Sequence, residues 1–145
     1  MRVAALLIFV AGCSTPTTVL DTSPPRVVVV VESVHVGPIV VGGVATPNDY
    51  LQRQLRITNT DAGRLVRLPG LNAGPAPRLT DNRGNSYRPE KLPGVAAETR
   101  LDPGQSVADL IVFEVPVAGA GPLNLKIPGA SLGGGGDYFL SLPAR

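Results

Sequence analysis

In YLQRQLRITNT, residues 50 to 60, Leu51, Leu55 and Ile57 alternate with Gln52, Gln54, Arg56 and Thr58. A period of two places the apolar set on one face of a strand and leaves the other face wet. The preceding stretch, RVVVVVESVHV from Arg26, is denser still in β-branched residues, which fit a pleated sheet and lose side-chain freedom in a helix. Its five consecutive valines have no polar phase, so this strand is expected to be covered at least in part on both faces. Gly37-Pro38 and Gly42-Gly43 interrupt the next apolar piece, IVV, and predict a short strand or a kink there. RLVRLPGL gives another short strand, closed by Pro69-Gly70, and PRLTDNRGNSYRP carries a turn-forming cluster between strand-like flanks. VADLIVFEVP, PLNLKIP and DYFLSLP complete the series. In VADLIVFEVP the charged Glu114 shares a face with Leu110 and Val112, so the opposite face, with Ile111, Phe113 and Val115, is predicted to be buried.

Nowhere do apolar residues recur at helical spacing over ten residues, and 17 glycines with 15 prolines argue against long helices. Seven or eight short strands, with turn signals every eight to twelve residues, predict an all-β fold, an antiparallel β-sandwich. Residues 26–145 are read as one domain, large enough to bury roughly two thirds of its unfolded surface. With three Tyr, three Phe and no Trp, its core has to be built from Val, Leu and Ile. The Cys and Trp that mark antibody-type domains are missing from this region.

The chain's single cysteine, Cys13, follows an apolar run that begins after Arg2. One cysteine allows no internal disulfide, and His35, the only histidine, cannot complete a Cys/His metal cluster. The run VAALLIFVAG is far shorter than the roughly 20 residues of a membrane-spanning helix and has the charged start and apolar middle of a secretory signal. Its end, Val10-Ala11-Gly12-Cys13, resembles the lipobox of bacterial lipoprotein signal peptides, departing slightly at Phe9, where Leu is commoner. The resemblance implies a signal peptide at 1–12, a diacylglycerol on the Cys13 sulfur, cleavage before Cys13 and acylation, as by palmitate, of the new amino terminus. Two or three fatty chains, at about 0.8 kcal/mol per buried methylene, give lasting attachment. Residues 13–25 then form a Ser/Thr/Pro-rich tether, extended enough to hold the domain on the order of 40 Å from the lipid. The expected location is the extracytoplasmic face of a bacterial membrane. Ser14, not Asp, follows the anchor, which implies the outer membrane if the organism has one.

Charge adds little, since 13 basic residues against 11 acidic ones give a net of +2 and point to no nucleic-acid partner. Asp81, Asn82 and Asn85 offer oxygens, but Arg83 sits where a calcium loop needs a ligand, so the segment reads as a turn, with Asp81 accepting backbone N–H bonds and Gly84 at positive φ. Gly133 to Gly136 lack the Lys and Ser or Thr of a phosphate loop and read as a floppy hairpin connection. Pro103-Gly104 has the residues of a type II turn. His35 has no visible partner for base catalysis, and no Gly-x-Ser-x-Gly turn is present, so the chain reads as non-catalytic, with no cofactor and no metal.

The order LRITNT, LTDNRGNSYRP, LDPGQSVADLIVFEVP is similar to immunoglobulin-like domains of unknown function found in bacterial lipoproteins and secreted proteins. The matching positions are Asn59, Asp81, Gly84, Tyr87, Leu101, Pro103, Gly104, Phe113, Val115 and Pro116. The resemblance implies an immunoglobulin-like sandwich in an extracytoplasmic setting and brings no catalytic residues.

Two function classes follow. In the first, the sandwich binds an envelope protein by edge-strand addition or through a loop surface. In the second, an arginine patch binds anionic envelope ligands. Arg53, Arg56, Arg64 and Arg67, continued by Arg78 and Arg83, are its candidates in a chain with only two lysines, because the guanidinium fork grips carboxylates and phosphates bidentately.

Overall fold

The computed structural model describes residues 26–92 and 98–142. Cys13 and the 13–25 tether lie outside the described residues.

A long hairpin opens the domain: β1 (Val27–Val41) and β2 (Val44–Asn59) pair antiparallel, with Val41 opposite Val44. Gly42 and Gly43 form its two-residue turn, with φ of 59° and 83°. Two positive φ values are what a type I′ turn demands, so this pair is the hairpin's hinge and not a break within a strand. Gly37-Pro38 does not end β1 either; the strand runs through it, with one extra residue at Glu32, and a second register shift arises where Ile39 faces the three residues Thr46, Pro47 and Asn48 of β2. The first sheet has the order β1-β2-β8-β6, where β8 is Ser106–Glu114 and β6 is Pro89–Glu90. The second has the order β10-β9-β4-β5, from β4 (Arg78–Asp81), β5 (Ser86–Tyr87), β9 (Leu123–Ile127) and β10 (Tyr138–Leu142). A separate pair joins β3 (Val66–Leu68) to β7 (Thr99–Leu101). All pairings are antiparallel, and the fold is an all-β sandwich. The described residues hold ten strands where seven or eight were expected, the excess being pieces of two or three residues.

The core lies between the two main sheets. Leu51, Leu55 and Ile57 of β2, Ile111 and Phe113 of β8, Leu79 of β4, and Leu123, Leu125 and Ile127 of β9 all point inward and are buried. Phe113 has no exposure, as its phase predicted. Val112, on the opposite phase, is buried too, because β8 is central and Gln52 and Glu90 flank it on the outer side.

The valine run departs from expectation. Val27 is buried and Val29 and Val31 half-buried, but Val28 and Val30 stand 47% and 51% exposed. β1 is an edge strand with one face on the core, so the missing polar phase reflects composition rather than two-sided cover.

The turn residues act as posts. Asp81 is buried, and its Oδ1 accepts the N–H groups of Arg83 and Asn85, both at 2.9 Å. Its Oδ2 accepts the Asn85 amide at 2.7 Å and the Tyr87 hydroxyl at 2.8 Å. Burial alone would raise this carboxyl, but the bonds from Asn85, Tyr87 and Arg83 outweigh it and hold the pKa at about 2. Both oxygens are thus engaged by donors of the chain itself, and Gly84 takes φ 85° to close the turn. Asn59, with no exposure, donates from Nδ2 to the carbonyls of Arg64 (2.8 Å) and Leu101 (3.0 Å) and accepts the Asp61 N–H (2.9 Å). It ties the end of β2 to two loops. Gly104, at φ 79°, sits at the third place of a turn closed by the Gln105 N–H on the Asp102 carbonyl. The four-glycine segment joins β9 to β10 through a 3-10 turn (Gly129–Leu132), and Gly133, Gly134 and Gly135 all carry positive φ. It is a close-packed connection: Gly133 and Gly134 both donate to the Gly129 carbonyl, and a side chain at Gly129 would strike the carbonyls of Gly135 and Gly136.

Candidate binding surfaces

The free edge of β1 has a definite hydrogen-bonding polarity. The Thr60 N–H donates to the Arg26 carbonyl at 3.0 Å, which makes that pair a bonded rung of the antiparallel ladder. Rungs alternate, so Val28 and Val30 bond toward β2, while the N–H and C=O groups of Val27, Val29 and Val31 face the other way. The Val27 carbonyl is taken by the Tyr138 hydroxyl of β10 at 3.3 Å. Val29 and Val31 border an open groove of about 510 Å³ between β1 and β10, whose wall also includes Arg53, Leu140 and Leu142. At Glu32 the strand bulges, and the pairing resumes with Ser33 opposite Gln54. His35 lies exposed farther along β1, its ring against Gly37, where any side chain would collide with it.

The arginine candidates do not form one surface. Arg53 has the inward phase of Leu51 and Leu55 and is 1% exposed, at the floor of the groove. Arg56 points to the outer face of the first sheet, where its Nε donates to Glu32 of β1. Arg64 is gripped within its own loop by Asp61, with Nε at 2.9 Å and Nη2 at 2.6 Å from Oδ2. The Arg64 guanidinium, aided by the Gly63 N–H, brings the Asp61 carboxyl down to about 2. Arg67 projects from β3 in the separate pair, opposite Arg100. Arg78 lies on the outer face of the second sheet and Arg83 in the Asp81 turn. Proximity in sequence reflected adjacency along the chain, and the turns between strands send these side chains to different faces.

Sequence reasoning missed Phe139, which is 75% exposed although the chain has only three phenylalanines. The signal was present in DYFLSL: Leu140 and Leu142 share the inward phase, which leaves Phe139 with Ser141 on the outer one. Among the described residues no group of three or more His, Cys, Asp or Glu side chains is arranged to hold a metal ion.

No family model and no curated protein matches the sequence. In fold the chain is similar to the yjhA protein from Bacillus subtilis, whose crystal structure it matches with a TM-score of 0.55 at 17% identity, over 83% of this chain and 93% of that one.

Proposed function

We propose that the protein is a non-catalytic, lipid-anchored component of a bacterial cell envelope whose β-sandwich captures another protein by strand addition along β1. The observation that carries the reading is the open edge at Val29 and Val31, with backbone donors and acceptors turned outward beside an apolar groove. An extended segment gains main-chain hydrogen bonds there, and alternate side chains enter the groove for specificity. Exposed Val28 and Val30 enlarge the apolar area offered. The lipobox ending at Cys13 supports the anchor and the extracytoplasmic location, on the outer membrane where there is one, and the motif run from Asn59 to Pro116 supports an immunoglobulin-like class. The alternative, an anionic-ligand patch of Arg53, Arg56, Arg64 and Arg67, gains no support from their placement.

Proline tests the edge selectively. Val29→Pro removes an N–H that faces away from β2, so it blocks an added strand and spares the β1–β2 ladder. A photo-crosslinking residue at position 30 is expected to trap an envelope protein in membrane extracts, and the adduct is expected to vanish in the Val29→Pro background. An adduct that persists there would overturn strand addition at this edge.

A further inference from the structure

The outer face of the second sheet carries two transverse rows of side chains set by the strand register. Arg78, Lys126 and Phe139 lie side by side across β4, β9 and β10, and Thr80, Asn124 and Ser141 form the next row. Together they line an open depression of about 480 Å³. The strand spacing makes this platform about 10 Å wide, and two residues along a strand make the rows about 7 Å apart. Those are the dimensions of one or two sugar rings.

Three features of the platform select its ligand. First, a phenyl ring 75% exposed to water has been placed on a face otherwise built of polar groups. It presents an apolar plate, with the Lys126 ammonium 5.7 Å from the ring centroid. Second, the lining residues include two cations and no carboxylate. Lys126 is partly neutralised by Asp137, at 2.7 Å, whose carboxyl is held down by that lysine and by the Gly129 N–H. Arg78 enters no ion pair or side-chain hydrogen bond among the described residues and keeps its whole fork for an anion. Third, Thr80, Asn124 and Ser141 set an amide and two hydroxyls beside the ring, each able both to donate and to accept.

We propose that this face binds an acidic polysaccharide, stacking a sugar ring on Phe139, pairing its carboxylate with Arg78 and reading its hydroxyls with Thr80, Asn124 and Ser141. A nucleic acid strand asks for several stacking groups and a longer track of cations than Phe139, Arg78 and Lys126 supply among the described residues of the platform. A protein partner asks for a dry apolar centre, which a single ring among short polar side chains does not provide. The site adjoins the groove at the β1 edge, sharing Leu140 and Ser141 with it, but its argument does not rest on the strand-addition reading.

The test is native affinity electrophoresis of the full chain in gels carrying alginate, a uronic acid polymer, or dextran, a neutral one, with poly-glutamate as an acidic polymer lacking sugar rings. The wild-type chain is expected to be retarded by alginate only. Phe139→Ala and Arg78→Gln are each expected to weaken the association about tenfold or more, consistent with the loss of a charge-assisted bond or a stacking plate. Both side chains point to solvent, and an unchanged unfolding midpoint confirms that each variant is folded. Absence of retardation by alginate, equal retardation by dextran or by poly-glutamate, or wild-type binding by either variant would overturn the proposal.

Discussion

The Tyr87 hydroxyl donates to Oδ2 of Asp81 at 2.8 Å inside the second sheet, so a buried ring is locked to the turn that precedes it by the turn's own carboxylate. The Asp81 pKa of about 2 lies below the ordinary value of 3.8, so the ionised form belongs to the folded state. Its stabilisation is present above about pH 4 and is lost as pH falls toward 2. Asp61 titrates in the same window, and a single variant separates the two. Tyr87→Phe removes one donor from Asp81 alone, and the midpoint of acid unfolding, followed by circular dichroism, is expected to move to higher pH.

Asn59 is the second buried polar post. Replacing it with Ala strands the carbonyls of Arg64 and Leu101 and the N–H of Asp61. Asn59→Ala is expected to cost about 2 to 4 kcal/mol, measured by urea denaturation, with a loss within experimental error counting against it. Asn59→Asp is expected to be no better, because a carboxylate has no donor for the two carbonyls.

Phe113 sits at zero exposure opposite Leu51, whereas Leu110 is half-buried. Phe113→Ala is expected to cost about 3 to 5 kcal/mol and Leu110→Ala distinctly less. Equal losses in chemical denaturation would contradict the packing described for β8.

Cys13→Ser is expected to abolish labelling by radioactive palmitate and processing by the lipoprotein pathway. Unchanged labelling would remove the anchor from the proposal.

The inward faces of β2, β8 and β9 were legible because a period of two is written directly into Leu51, Leu55 and Ile57, or into Leu123, Leu125 and Ile127. The same phase contained Arg53, and there the charge of the side chain masked its position. Whether a strand is central or at an edge depends on partners far along the chain, so the exposure of Val28 and Val30 had no local signal. The Gly42-Gly43 hinge could be recognised only once Val41 and Val44 were known to pair. Strands as short as Ser86–Tyr87 and Pro89–Glu90 have too few residues to show a period at all.

The bulge at Glu32 sets a limit on growth. Stacked cross-β assemblies are built from flat segments of about six or seven residues with low charge, and five valines in a row come close to that description. Here the straight run of the edge is interrupted after Val31, its first carbonyl is already claimed by Tyr138, and a carboxylate bonded to Arg56 stands at the bend. Under the proposal a single strand docks there, while the bulge denies the valine run the longer straight edge along which copies would propagate into fibres.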